Sequence, residues 1–176
     1  MTSEENQLIK ECRIRIVGKG DFITYIKKEL GKLDFCNIAE VEIDEIINRK
    51  NAGILIEYTG VGLSLVKDIN SIPVIYPFDF VEGAGAIVVL PDDDRNWLEK
   101  QNVRQWAVEY MSGYCAFWNV DGCDWLHDAL PAIKENKASE AALRTAAYMC
   151  AKIAANIAVG RDVKRYPRFY LCGNLE

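Results

Sequence analysis

Half of the 176 residues are apolar, enough to bury one hydrophobic core without disulfide or metal staples, so a single domain over residues 1–176 is expected. A formal charge of -5, from 21 basic and 26 acidic side chains, excludes a general attraction to nucleic acid. No run approaches the roughly 18 apolar residues of a membrane span, and MTSEENQLIKE lacks the basic-then-apolar order of a secretory leader, so a soluble, cytoplasmic protein is the expectation.

In chain order, CRIRIVG reads as a first strand that stops at the flexible Gly18-Lys19-Gly20 turn. FITYIKKELGKL follows as a helix, because Ile23, Ile26 and Leu30 recur at helical spacing with the charged residues mostly outside. IAEVEI is a second strand, and DEIINRK a short turn or helix. AGILIEY, apolar until Glu57, has the pattern of a strand covered on both faces. LSLVKDI is a short helical connection, IPVIYP a strand with prolines at its boundaries, and GAIVVLP a further strand stopped by PDDD. The series predicts an α/β fold, a Rossmann-like, mostly parallel sheet with flanking helices.

The second half is less regular. Trp97 and Trp106 would fall on opposite sides of one continuous helix, whereas Val103, Trp106 and Tyr110 share a face; GYCAFWNV reads as a loop or short strand. SEAALRTAAYMCAKIAANIAVG is an alanine-rich helix whose small side chains permit close packing against a sheet or a partner helix. RDVKRYPR, the one concentrated basic patch, suits either a solvated face or an acidic partner or phosphate.

Nucleotide chemistry is the first functional expectation. A helix that starts after a parallel strand presents unpaired N–H groups to a pyrophosphate, and Gly18 and Gly20 would let the phosphates approach. The Gly-x-Gly-x-x-Gly pattern nevertheless ends in Ile23, and Asp21 adds negative charge that Lys19 partly offsets. Glu40, Glu42 and Asp44 fall where a ribose-binding acid would emerge, although the alternation in EVEI also describes the wet face of a strand.

Other clusters are weaker. Cys115, Cys123 and His127 offer soft ligands suited to zinc, or a Cys123–His127 nucleophile and base, but no Cys-x-x-Cys unit or third orienting group accompanies them. No metal site is assigned. The six cysteines read as mostly free core thiols, and Asp92, Asp93 and Asp94 as a solvated stop. Tyr114, Phe117, Trp118 and Trp125 would line a pocket or partner groove, or fill the core.

Taken in sequence, CRIRIVGKG, EVEIDEIINRK, AGILIEYTG, IPVIYPFDFVEGAGAIVVLP and AAYMCAKIAANIAVGRDVK resemble successive segments of the ThiF and ubiquitin-activating E1-like adenylyltransferase family. The resemblance covers most of the chain. It implies ATP as the nucleotide, adenylation of a carrier protein's C-terminal carboxylate, and a homodimer. By matching segment, Gly18 and Gly20 would be nucleotide-turn residues, Glu42 the ribose-contacting acid and Arg49 the arginine of the Asn-Arg-Gln segment. The departures are substantial. The turn lacks its further glycine and serine, AGILIEYTG leaves no room for the lysine-bearing helix and strand, and YTG lacks the magnesium-linked aspartate. Adenylyl transfer needs positive charge or metal around the phosphates, and Lys19 and Arg49 supply little. The expectation is therefore a truncated, noncatalytic or assembly-related binding protein, with an ATP-dependent adenylyltransferase or another nucleotide-dependent enzyme as the alternative. Its expected partners are a second copy of the chain or another protein.

Overall fold

The computed structural model describes residues 1–42, 44, 53–58, 62 and 64–173, so Arg49 and the remainder of the DEIINRK segment after Asp44 lie outside the described residues. Thr2 opens the first helix, α1 (Ser3–Glu11), with a capping box in which its hydroxyl accepts from the Glu5 N–H and the Glu5 carboxylate accepts from the Thr2 N–H. Strand β1 (Arg13–Gly18) leads through Lys19 and Gly20 into α2 (Asp21–Lys32), whose Phe22, Ile23, Ile26 and Leu30 form the buried stripe expected of its spacing. Strands β2 (Asn37–Glu40) and β3 (Ile54–Tyr58) follow.

Strands β4 (Val74–Asp79) and β5 (Gly83–Val89) form an antiparallel hairpin, with Val74 opposite Val89 and Asp79 opposite Ala84. After a 3-10 turn (Asn96–Glu99) come α3 (Val103–Phe117), α4 (Trp125–Lys134), α5 (Glu140–Ala158) and a final short strand, β6 (Tyr170–Gly173). Among the described residues the strands make one sheet in the order β2-β1-β3-β4-β5-β6. The first four run parallel and the last two are antiparallel to their neighbours. The α/β class with a largely parallel sheet and flanking helices is thus the observed one.

Alternation along the strands sends side chains to two cores. Ile14, Ile16, Ile54, Ile56 and Ile75 face one layer formed by α1, α2 and α5. Val17, Leu55, Val74, Tyr76 and Phe78 face the other, closed by α3, α4 and the 3-10 turn. The alanine-rich helix packs against the sheet and α2: Ala146, Ala147 and Ala151 are buried on α5, and Ala84 and Ala86 are buried on β5 in the same core. Small residues on both sides let the helix axis approach the strands closely, and a larger side chain there would force repacking.

Several segments depart from the sequence expectation. GYCAFWNV is mostly the last turns of α3, because the face begun by Val103, Ala107 and Val108 continues through Met111 and Cys115. Trp97 and Trp106 do not share a helix; the first sits on the 3-10 turn, the second on α3, and their rings stack at 4.9 Å. Pro77 lies inside β4 rather than at its boundary. The described β3 register runs only through Val74 and Ile75, so the missing Pro77 N–H falls beyond those paired positions on that side.

Candidate functional site

The parallel strands place the ends of β1, β2, β3 and β4 on one edge of the sheet, where α/β proteins build their crevices. The 2-1-3 order puts a topological switch between β1 and β3 at that edge. Gly18 ends β1 opposite Tyr58, the last residue of β3. Its φ of 141° and the Tyr58 carbonyl oxygen only 2.6 Å from where a Cβ would stand both require glycine, so the strand end is closed against its neighbour. Phe22 is fully buried and stacks on the Tyr58 ring at 4.8 Å, while Ile23 is buried in the core below. Gly20, at φ 95°, is the N-cap of α2, and the space where its Cβ would point is open to 4 Å. Lys19 is exposed beside it.

The acid candidates emerge at the same edge. The Val41 N–H donates to the Ile16 carbonyl at 3.0 Å, prolonging the β1–β2 pairing, and exposed Glu42 comes next. Glu40 forms an ion pair with Lys27 of α2. Gly18, Gly20 and Glu42 are therefore brought to one edge, with Arg49 outside the described residues.

The strongest polar feature at this edge was not anticipated. Asp79, at the end of β4 and 1 % exposed, accepts from the Val81 N–H at 2.7 Å and from the Ser139 N–H at 2.8 Å. The buried Arg104 of α3 donates through Nε to the Asp79 carbonyl and through Nη2 to the Lys137 carbonyl, both at 2.6 Å, with its guanidinium 3.7 Å from Asp79 Oδ1. Desolvation lowers the Arg104 pKa from its ordinary value, and the neighbouring carboxylate opposes that shift. Asp79 thus joins the hairpin loop, the start of α5 and α3. It also holds Val81, a β-branched residue at φ 66°, in a conformation that such side chains avoid. The available sequence signal was an acid closing the apolar run IPVIYPFDF.

Glu57 makes a second internal knot. Its carboxylate accepts from the Ser64 hydroxyl at 2.7 Å and from the Leu65 N–H at 2.5 Å; burial raises its pKa despite these bonds. Burial likewise raises the Tyr58 hydroxyl, with the Asp79 charge adding to it.

Toward the other end of α3, Cys115 and Cys123 meet between two cavities, and His127 lines the smaller one, of about 250 Å³. Burial and a hydrogen bond with Cys123 push the Cys115 thiol up to about 12, so it is protonated at neutral pH. Among the described residues no group of three or more His, Cys, Asp and Glu side chains could hold a metal, so the zinc reading of this segment has no ligand set. The larger cavity, about 390 Å³, is walled by Tyr114, Trp125 and Phe169 and rimmed by Lys164 and Arg168. A cleft of about 820 Å³ on the other side of the same two cations carries Arg161 and Arg165. The basic segment RDVKRYPR thus borders concave surface. Beyond it, Phe117 and Trp118 are 79 % and 63 % exposed and meet edge to face at 5.1 Å.

No protein-family profile matches the chain, and no curated protein sequence aligns with it. Among the described residues no helix is long and apolar enough to cross a membrane.

Proposed function

We propose that the chain is a noncatalytic or assembly-related binding protein on a degenerate E1-like fold, cytoplasmic and homodimeric. The observation that supports it is how the carboxyl edge uses its buried charges. Asp79 and Arg104 are committed to backbone groups and to each other, and Glu57 to Ser64 and the Leu65 and Val66 N–H groups. Groups so committed hold loops together; a phosphoryl-transfer site needs them aimed at substrate. The Gly18 end of the bend is closed against Tyr58, whose ring stacks on buried Phe22. Exposed Phe117 and Trp118 supply aromatic area suited to burial between two copies, and a contact of the same patch on both copies would make a two-fold dimer.

A second reading, an ATP-dependent adenylyltransferase, is favoured by one observation. A Cβ on Gly20, the N-cap of α2, would meet nothing within 4 Å, and free space beside a helix N-terminus suits a phosphate. The readings separate in one experiment: binding of ATP, NAD, FAD and S-adenosylmethionine by the full chain, with AMP transfer assayed on a carrier-protein carboxylate, and native mass measured in parallel. The expected result is a dimeric mass, no AMP transfer, and no nucleotide affinity that Gly20→Asp alters. Saturable ATP binding lost in that variant, followed by AMP transfer, would overturn the proposal.

A further inference from the structure

The two cavities that flank Lys164 and Arg168 differ in chemistry in a way that suits one ligand. The first is walled by Tyr114, Trp125 and Phe169, whose faces suit a flat ring, and exposed Asp121 stands at its margin as an acceptor. The second is a basic cleft between the end of α5 and β6, with Arg161, Lys164, Arg165 and Arg168 against a single acid, Asp162. Both volumes, about 390 and 820 Å³, fall in the range of roughly 300–1,000 Å³ usual for small-molecule sites.

Charge accounting singles out the shared pair. Arg161 is bound to Glu5 at 2.5 Å, and Arg165 lies 3.6 Å from Asp93. Among the described residues Lys164 and Arg168 have no carboxylate partner; Lys164 rests over the Tyr170 ring at 5.4 Å, and both are exposed. In a chain of net charge -5, two cations with no ion-pair partner among the described residues line both cavities.

The backbone that carries them is fixed. The Lys164 N–H donates to the Tyr170 hydroxyl at 2.8 Å, the Tyr166 N–H to the Val88 carbonyl at 2.8 Å, and the Arg168 N–H to the Arg165 carbonyl at 2.9 Å. The Tyr110 hydroxyl donates to the Pro167 carbonyl at 2.7 Å. A loop held at four points presents its cations with little ordering cost on binding. A guanidinium and an ammonium lining the same two cavities match the charge and the multiple acceptor oxygens of a phosphate group.

We infer that this corner binds a phosphate ester of a flat aromatic or heterocyclic ring, of mononucleotide size, with the ring against Tyr114 and Phe169 and the phosphate on Lys164 and Arg168. The site is separate from the glycine turn and does not depend on it. It gives the binding protein a small-molecule ligand without requiring any transfer chemistry.

The test is calorimetric titration of the full chain with AMP, adenosine and inorganic phosphate. AMP is expected to bind saturably, at least tenfold more tightly than either fragment, and more weakly as salt rises. Lys164→Glu with Arg168→Glu is expected to weaken AMP at least tenfold at an unchanged melting temperature, Lys164→Gln with Arg168→Gln to weaken it in the same direction, and Gly20→Asp to leave it unaltered. Tyr114→Ala is expected to weaken AMP while sparing inorganic phosphate. No AMP binding would overturn the proposal, as would equal affinity for AMP and phosphate, which would leave only a general anion cleft. AMP binding abolished by Gly20→Asp and untouched by the double variants would place the ligand at the turn and overturn it too.

Discussion

The bend after β1 and the corner between α3 and β6 carry opposite relations between motif and space. At the bend the sequence has a nucleotide-turn outline, yet Gly18 is pressed on the Tyr58 carbonyl and Phe22 and Ile23 are buried beneath it. At the corner the sequence offers only the basic patch RDVKRYPR and, far from it along the chain, aromatic residues suited to a pocket or the core, yet two cavities meet at Lys164 and Arg168. A glycine that permits a tight turn can serve backbone packing as readily as ligand approach. The direction in which its missing Cβ points distinguishes the two uses, which is why Gly18 and Gly20 differ.

The sharpest way to break this contrast is at the knot beside the bend. Asp79→Ala would leave the buried Arg104 without its carboxylate and the Val81 and Ser139 N–H groups without an acceptor. A loss of about 3–5 kcal/mol in urea unfolding is expected. A value near zero would mean that Asp79 is poised for something other than holding the edge. The two glycines come next. Gly18→Ala should be less stable than Gly20→Ala by about 1–3 kcal/mol, since only the first meets the neighbouring strand. Equal losses would indicate that backbone torsion alone sets the requirement.

A smaller effect tests Glu57 through pH. Burial raises its folded-state pKa above the unfolded value, so the folded protein holds that proton more tightly. The associated stability is fully present below the unfolded pKa and is lost as pH rises through the folded one. Glu57→Gln is expected to flatten the decline in stability on the alkaline side of the ordinary carboxylate range, measured by denaturation at a series of pH values; an unchanged slope would count against it. The smallest stability change is expected at the exposed aromatic pair of the proposed dimer contact. Phe117→Ser with Trp118→Ser should stay within about 0.5 kcal/mol per exposed site, measured on a monomeric reference at low concentration, while sedimentation shows the mass falling from dimer to monomer.

What could be read in advance followed from periodicity. The stripe through Ile23, Ile26 and Leu30 and the apolar run of β3 depend on local spacing, so the parallel half and its helix were legible. The α1 helix carries its start signal in the Thr2–Glu5 capping box, with a single buried residue, Ile9, behind it to mark a face. β6 had no comparable signal: its four residues are partly exposed and gain their place by pairing with β5, across a separation that sequence pattern does not carry. The same holds at the candidate sites. Gly18, Gly20 and Glu42 were brought to one edge because strand ends are local features, whereas the meeting of Tyr114 with Arg168, or Asp79 with Arg104, depends on tertiary packing. Trp125 illustrates the point: it lies over Gly83 and Gly173, where any side chain would collide with its ring, and neither glycine belonged to a recognised turn.

Among the described residues the two outermost strands, β2 and β6, run for four residues each. So short a border offers few main-chain donors and acceptors to a newcomer, and it discourages sheets of separate molecules from fusing side by side. A dimer of the kind proposed would then have to form through side chains such as the exposed Phe117 and Trp118, where geometry can limit growth to a closed pair instead of an open-ended fibre.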